Sequence, residues 1–287
     1  MPKNKIEKYF SLVKFSHTIF AMPFAFIGYF IAIKSNYYEF NLIKLLLVVL
    51  CMIFARNAAM SFNRYIDRKI DLLNPRTKVR EIPQGLLKAS SVLWFVVINS
   101  LFFIFTTFFI NSICFYLSPV ALLVVLGYSA TKRFTSLCHL ILGLGLSLAP
   151  IGAYLAVSGK FTLLPIIYSF VVLCWVSGFD IIYALQDEEF DKSQQLHSIP
   201  SILGKKGAII VSTLLHICSA ILVIIAGLIF PFGWLYWIGS TLFIGLLIYQ
   251  HLLVKPGDLS KINAAFFTSN GIASVIFATF TIIDLLL

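Results

Sequence analysis

Three side chains with oxygen atoms recur at helical spacing early in the chain. Asn63, Asp67 and Asp71 are each four residues apart. On an α-helix these positions differ by only about 40° in direction, so all three side chains face the same way. They follow an apolar run of membrane-spanning length, and carboxylates stacked at a membrane edge repel one another and lose hydration. Such a column of hard oxygen atoms indicates a site for a divalent cation.

A second group of carboxylates comes later in the chain. Asp180, Asp187 and Asp191 have i, i+7, i+11 spacing, which keeps them within about 40° of one another on a continuous helix. The neighbouring Glu188 and Glu189 fit a solvated acidic loop, whereas Asp180 follows apolar residues and does not. If the two acidic faces turn toward each other, they would hold Mg²⁺ and a diphosphate.

Basic side chains accompany both acidic groups. Four lie in the polar joints that follow the second and fourth apolar runs: Arg76, Arg80, Lys132 and Arg133. Cytoplasmic loops are basic in any case, so topology alone explains each of them. Beside carboxylates, however, the combination indicates a metal-bridged polyanion. Lys14, at the start of the first apolar run, could either bind phosphate or extend to the lipid headgroups.

One arginine lies inside an apolar run. Arg56 precedes Asn63 by seven residues, so it lies within about 20° of the same helix face and roughly 10 Å deeper. A guanidinium at that depth needs a partner. It could extend outward, pair with Asp67, or bind the carboxylate of an aromatic acid.

The composition identifies the elements that must position these groups. Of the 287 residues, 60% are hydrophobic and only 12% are charged, and the mean hydropathy is +0.94, values outside the soluble range. Nine apolar runs each approach the ~20 residues that a membrane-spanning helix needs. They are 15–33, 41–61, 89–110, 112–128, 136–157, 162–184, 207–230, 232–250 and 263–286. We therefore predict an all-α polytopic membrane protein with eight or nine spans, in which residues 1–287 form a single integral-membrane domain.

The charge distribution predicts the orientation. Of 22 Lys and Arg residues, only Lys34, Lys44 and Lys160 fall on one side of the predicted bundle. The positive-inside rule therefore makes the N-terminus and the loops of the candidate site cytoplasmic, in a bacterial-type inner membrane. The net charge of +10 does not indicate nucleic acid, because the basic residues lie in short loops between spans. The five Cys lie in apolar runs without paired spacing, and no obligate protein partner is inferred.

A charged mouth beside an apolar interior suits a substrate with a diphosphate head and a long hydrocarbon tail. Mg²⁺ held by the Asp side chains would neutralise the departing diphosphate, while Lys and Arg would stabilise the charge on its oxygens. Loss of diphosphate from an allylic chain leaves a carbocation, which needs a dry pocket and an aromatic acceptor already in place. The acceptor ring then loses a proton.

Four motifs in this order resemble those of the UbiA superfamily of intramembrane aromatic prenyltransferases, and most of all its 4-hydroxybenzoate polyprenyltransferase branch. They are Asn63-x₃-Asp67-x₃-Asp71, the stretch 74–85, Tyr128-x₂-Thr131-Lys132-Arg133, and Asp180-x₂-Tyr183-Ala184-x₂-Asp187-x₃-Asp191. The resemblance implies a nine-helix bundle around a central cavity. It also implies Mg²⁺-dependent transfer of a polyprenyl group from its diphosphate to an aromatic acid, in ubiquinone or menaquinone biosynthesis.

The resemblance also implies a role for each matching residue. Five would hold Mg²⁺-diphosphate: Asn63, Asp67, Asp71, Asp187 and Asp191. Asp180 would lie near the reacting centre and complete the catalytic carboxylates. The other substrate-binding residues would be Lys14, Arg56, Arg76, Arg80, Tyr128, Lys132, Arg133 and Tyr183, with Arg56 facing the carboxylate of the acceptor.

Departures from the family pattern concern the acceptor. The Pro-Ile-Gly of the first span is replaced by residues 18–20, Thr-Ile-Phe, and Gln195 stands where a Gly is expected. The stretch 14–23 looks more like a subgroup that prenylates a naphthoate in an alternative menaquinone route. A dihydroxynaphthoate is therefore an alternative acceptor.

Two further readings assign the chain to other classes. The first is a transporter of an anionic solute, but transporters tend to interrupt helices near the midplane and to contain inverted repeats. Here the charges gather at the cytoplasmic ends, and the two acidic regions suggest a parallel duplication, each followed by Ile-Pro, a Gly and a Lys. The second is a phosphatidyltransferase, whose Asp-Gly and Ala-Arg pattern the sequence lacks.

Overall fold

The fold is given by a computed structural model that describes residues 4–13, 21–36 and 38–287. Its α-helices are α1 (Lys5–Val13), α2 (Met22–Asn36), α3 (Leu42–Leu73), α4 (Ala89–Phe108), α5 (Ser112–Thr131), α6 (Cys138–Ser158), α7 (Leu163–Ala184), α8 (Glu188–Ser193), α9 (Ile199–Ile229), α10 (Trp234–Leu253) and α11 (Asn270–Leu286). The predicted all-α architecture is confirmed.

Eight segments of the described chain are helical, long and apolar enough to cross a bilayer. The shorter apolar helix α2 lies where the first span was predicted, and part of that predicted run, residues 14–20, lies outside the described residues. Two helices extend beyond their apolar runs, since α3 continues to Leu73 and α9 begins at Ile199. These extensions carry the polar ends of the helices past the predicted spans.

Close helix packing depends on small residues at the crossings. A Cβ atom on Gly28 of α2 would lie 2.0 Å from the carbonyl oxygen of Pro150 in α6. One on Gly143 of α6 would lie 2.3 Å from the Ser177 hydroxyl in α7. Small side chains let membrane helices approach this closely, and α7 is the most buried of the eight spanning segments. The main core gathers around Trp175 on this helix.

The outer surface of the bundle is apolar. Large side chains such as Phe105, Leu123 and Leu228 are 61%, 75% and 72% exposed. Exposed apolar side chains around a bundle whose helices satisfy their own backbone hydrogen bonds are what a lipid environment requires.

The two stretches that follow the acidic regions share a backbone feature. Gly85 and Gly204 both have positive φ, at 69° and 66°, and each comes shortly after an Ile-Pro pair. Gly204 lies within α9 and interrupts its helical backbone with a kink. Left-handed backbone favours glycine because it has no Cβ. The two stretches therefore share a glycine with positive φ, although Gly85 lies in a turn and Gly204 lies within α9.

Candidate active site

One cavity of about 1210 Å³ has walls from α3, α5, α6 and α7 and from the joint after α3. Every predicted site residue that the structure describes lies on its wall, while Lys14 lies outside the described residues. Its apolar wall includes Met52, Leu117 and Leu146. Most of the charged residues come from the ends of α3, α5 and α7 and from the segments that follow, while Arg56 lies deeper along α3. The cavity therefore combines a polar end with an apolar interior, as the sequence predicts.

The first acidic group lies on one helix, as predicted. The Asn63 amide donates to Asp67 Oδ2 at 3.0 Å, and Arg133 Nη2 donates to Asp67 Oδ1 at 2.7 Å. Arg80 Nη1 lies 2.6 Å from Asp71 Oδ1. Each carboxylate of α3 therefore has one arginine partner from a following joint.

The second acidic group is not on one continuous helix, so that part of the prediction is wrong. Helix α7 ends at Ala184, a 3₁₀ turn spans Leu185–Asp187, and α8 begins at Glu188. The tighter turn changes the angular relation between Asp180 and the later carboxylates. All three still line the cavity.

Two of these carboxylates hold cations from distant joints. Asp187 Oδ1 accepts from Asn74 Nδ2 and Arg76 Nε, both at 3.0 Å, and Arg76 Nη2 pairs with its other oxygen. Lys132 Nζ lies 2.7 Å from Asp191 Oδ1, while the Ser198 hydroxyl donates to Oδ2 at 2.8 Å. Both carboxylates are buried, and burial without such partners would be costly.

The ion pairs connect the two acidic groups. Lys132 and Arg133 are consecutive, yet Lys132 pairs with Asp191 of the second group and Arg133 with Asp67 of the first. Arg76 follows the first group along the chain and pairs with Asp187 of the second. The two groups therefore face each other across the polar end of the cavity.

Two tyrosines and Arg56 complete the predicted set. Arg76 Nη1 donates to the Tyr183 hydroxyl at 3.1 Å, and its guanidinium carbon lies 5.2 Å from the centre of that ring. Tyr128 and Arg56 are on the same wall. Burial by itself lowers the pKa of Arg76, but the hydrogen bond and charge of Asp187 outweigh it and raise the pKa above its usual value. Arg76 is therefore a permanent cation at the cavity.

The donor set fits Mg²⁺ in chemistry. In the described part of the chain, no three His, Cys, Asp or Glu side chains form a group that could hold a metal ion by themselves. Mg²⁺ is usually held by one or two carboxylates together with substrate phosphates. Asp71 Oδ2 is buried and has no hydrogen-bond partner among the described residues, so a hard oxygen atom is available to a cation there. The residues suit Mg²⁺ that is bound jointly with a diphosphate.

Two basic residues on the cavity wall escaped the sequence prediction, Arg64 and His139. Arg64 has i, i+3, i+7 spacing with Asp67 and Asp71, a signal that was available but overlooked. His139 Nδ1 lies 2.7 Å from Asp180 Oδ2, a contact between α6 and α7 that no local spacing could reveal. In the sequence, the only feature that singles out His139 is that it is an ionisable residue within an apolar run.

The helical bundle and its charged cavity define a multi-pass membrane protein with an intramembrane site. The model of the UbiA prenyltransferase family matches residues 21–271. The chain belongs to this family and is a prenyltransferase, which confirms the resemblance seen in the four motifs.

Individual relatives extend this result. The 4-hydroxybenzoate octaprenyltransferase of Psychromonas ingrahamii is 31% identical over 225 residues, covering 78% of this chain and 77% of that protein. The apo structure of a UbiA homolog from Aeropyrum pernix K1 has a TM-score of 0.85 at 31% identity, covering 93% and 98% of the two chains. A homolog from Archaeoglobus fulgidus bound to DMAPP and Mg²⁺ has a TM-score of 0.77 at 20% identity, covering 98% and 99%. The similarity to the Archaeoglobus fulgidus homolog is a similarity of fold.

Proposed function

We propose that the chain transfers a polyprenyl group from polyprenyl diphosphate to the ring of an aromatic acid in quinone biosynthesis. The observation that carries this proposal is the meeting of two acidic groups, joined through Lys132 and Arg133, at the polar end of an apolar cavity. The names of the curated relatives support 4-hydroxybenzoate as acceptor. We place the enzyme in the inner membrane of a bacterial-type cell, acting as a single domain with its site toward the cytoplasm.

Five residues would hold Mg²⁺ and the diphosphate: Asn63, Asp67, Asp71, Asp187 and Asp191. The metal, when bound, supplies charge neutralisation to the leaving group. The Archaeoglobus fulgidus homolog with DMAPP and Mg²⁺ supports this assignment by analogy of fold.

The chain's own cations would bind the phosphate oxygens. Arg76, Arg80, Lys132 and Arg133 each contact a carboxylate at the cavity, so they are already directed toward the place where negative charge would lie. Preorganised donors of this kind stabilise charge that develops in a transition state. The bond between the prenyl C1 and its oxygen breaks, and the electron pair leaves on the diphosphate.

The apolar wall would exclude water while the new bond forms. A ring carbon of the acceptor bonds to C1, and the ring proton then passes to a base, for which Asp180 is the candidate. Arg56, deeper along α3 on the same cavity wall, would face the acceptor's carboxylate. The acceptor ring would then be held between Arg56, which binds its carboxylate, and the C1 atom of the prenyl group.

A dihydroxynaphthoate is a second candidate acceptor. It is supported by the stretch 14–23, which resembles the naphthoate-prenylating subgroup. The two acceptors share an aromatic ring, a hydroxyl group and a carboxylate. Either one would therefore need Arg56 to bind its carboxylate and a base to accept its ring proton.

The direct test is an acceptor assay in membranes that contain the protein. Radiolabelled prenyl diphosphate is supplied with Mg²⁺ and either 4-hydroxybenzoate or a dihydroxynaphthoate, and label in the prenylated product is measured. We expect transfer to one acceptor, abolished by excess EDTA. Asp67→Asn and Asp187→Asn should each lower turnover by on the order of 100-fold or more.

The control is Glu189→Gln, because Glu189 lies in the same acidic stretch but is exposed and does not line the cavity. This variant should retain the activity of the unsubstituted protein. Full turnover in EDTA, or transfer to neither acceptor, would refute the proposal.

A further inference from the structure

Arg64 is a buried cation, and two of its guanidinium nitrogens lack a hydrogen-bond partner among the described residues. Its side chain lies on the cavity wall and the residue is 6% exposed. Within the part of the chain that the structure describes, these two atoms, Nε and Nη1, find no partner for their N–H groups. Removing a guanidinium from water without a compensating anion is expensive, so this arrangement needs an explanation.

The other cations at the polar end of the cavity differ from Arg64. Arg76, Arg80, Lys132 and Arg133 each have a carboxylate oxygen within 2.7 Å. Among the described residues, Arg64 forms no such ion pair, although it is close enough for its charge to act on Asp71 and Tyr128. Arg64 therefore interacts with the neighbouring carboxylate through its charge alone, and no hydrogen bond between the two uses its N–H groups.

The position of Arg64 on α3 indicates what it faces. Arg64, Asp67 and Asp71 have i, i+3, i+7 spacing, so they share one side of the helix. Arg64 is about 4.5 Å deeper than Asp67 along the helix axis and about 12 Å from the level of Arg56. It lies between the carboxylates proposed to hold the metal and the arginine proposed to hold the acceptor.

We propose that Arg64 binds an oxyanion of a substrate through its unpartnered guanidinium donors. This inference rests on the proposed function and adds a binding residue to it. Two substrate groups share the required chemistry, the phosphate oxygens of the prenyl diphosphate and the carboxylate of the aromatic acid. Guanidinium groups match both in geometry and charge.

The level of Arg64 suits the α-phosphate in particular. With the metal-binding carboxylates nearer the mouth and the prenyl chain in the apolar interior, the α-phosphate is the deeper of the two phosphates. Negative charge grows on its bridging oxygen as the bond to C1 breaks. A donor fixed at that level would act on the charge that develops during the reaction.

The test compares Arg64→Gln and Arg64→Lys with the unsubstituted protein. If the ligand is the diphosphate, Arg64→Gln should lower kcat/KM for prenyl diphosphate by on the order of 100-fold. It should also weaken inhibition by inorganic diphosphate with Mg²⁺ and reduce the thermal stabilisation that this probe gives to the purified protein. If the ligand is the carboxylate, only the KM for the aromatic acid should rise, while the KM for its methyl ester stays constant.

Arg64→Lys should recover part of the lost function, because it keeps the charge but not the planar donors. The matched control is Arg68→Gln, since Arg68 is on the same helix, is bound to the Tyr65 carbonyl oxygen and does not line the cavity. Unchanged constants for both substrates in a folded Arg64→Gln protein would overturn the inference. An unsubstituted protein that transfers no prenyl group would instead refute the proposed function, and the binding of inorganic diphosphate would still be measurable.

Discussion

At the scale of single residues, the contact between His139 and Asp180 has the most direct chemical consequence. The backbone N–H of Ile199 points at His139 Nε2, 3.4 Å away, and Nδ1 faces Asp180 Oδ2 at 2.7 Å. In the tautomer that lets Nε2 accept from this N–H group, the ring proton is on Nδ1. His139 therefore donates to Asp180 and fixes the orientation of its carboxylate.

Removing this donor should slow the reaction without weakening substrate binding. We expect His139→Leu to lower kcat by roughly 100-fold, the size of a general-base contribution, with the KM of both substrates nearly unchanged. The Gln amide contains an NH₂ donor group and a carbonyl acceptor, so His139→Gln should recover much of kcat. Steady-state kinetics in detergent micelles measures both constants.

His197→Gln is the matched substitution, because His197 is exposed and is not on the cavity wall. It should behave like the unsubstituted protein. If His139→Gln were as slow as His139→Leu, the hydrogen-bonding role assigned to His139 would be incorrect.

At the scale of elements, the end of α8 shows how the chain tolerates a departure from the family pattern. Gln195, which stands where a Gly is expected, has φ of 53°. The Leu196 N–H donates to the Asp191 carbonyl oxygen at 2.8 Å, and the Gln195 N–H donates to that of Lys192 at 3.3 Å. These are the two hydrogen bonds of a Schellman motif, whose left-handed residue is usually glycine. The turn that positions Asp191 therefore forms even though Gln195 is less suited than a glycine to left-handed backbone.

Gln195→Gly should therefore stabilise the protein by about 1 kcal/mol, because it removes the steric conflict of a Cβ in left-handed backbone. A higher melting temperature in detergent is the expected observation. Gln194→Gly provides the comparison, since Gln194 has φ of −99° and gains only flexibility from the change. If both substitutions lowered the melting temperature equally, strain at Gln195 would not be the reason.

At the scale of the whole molecule, the membrane orientation decides which compartment the site faces. Ser193, beside the second acidic group, and Lys160, after α6, are both exposed and should lie on opposite sides of the bilayer. The excess of Lys and Arg on the side of Ser193 predicts that this side is cytoplasmic. The diphosphate product would then be released into the cytoplasm.

Cysteine labelling tests this orientation. In a variant whose five native Cys are replaced by Ala, Lys160→Cys should react with a membrane-impermeant maleimide in intact spheroplasts. Ser193→Cys should react only after lysis. The reverse labelling pattern would show that the site opens to the outside, against the positive-inside prediction.

The sequence by itself determined the architecture and the chemical character of the site. Apolar runs of spanning length lead to a helical bundle in lipid, because each helix satisfies its own backbone hydrogen bonds. The column of Asn63, Asp67 and Asp71 follows from helical period alone, and all three line the cavity. Local periodicity is encoded by neighbours along the chain, so it can be read without a structure.

Only the tertiary structure decided which residues meet. The pairing of Arg76 with Asp187, 111 residues away, joins the two acidic groups. His216 and His251, which have no informative spacing, are brought to 2.7 Å by the packing of α9 and α10. The 3₁₀ turn before α8 likewise departs from the regular helix that spacing assumes. Such contacts depend on how helices cross and end, and that geometry is set by packing across the whole bundle.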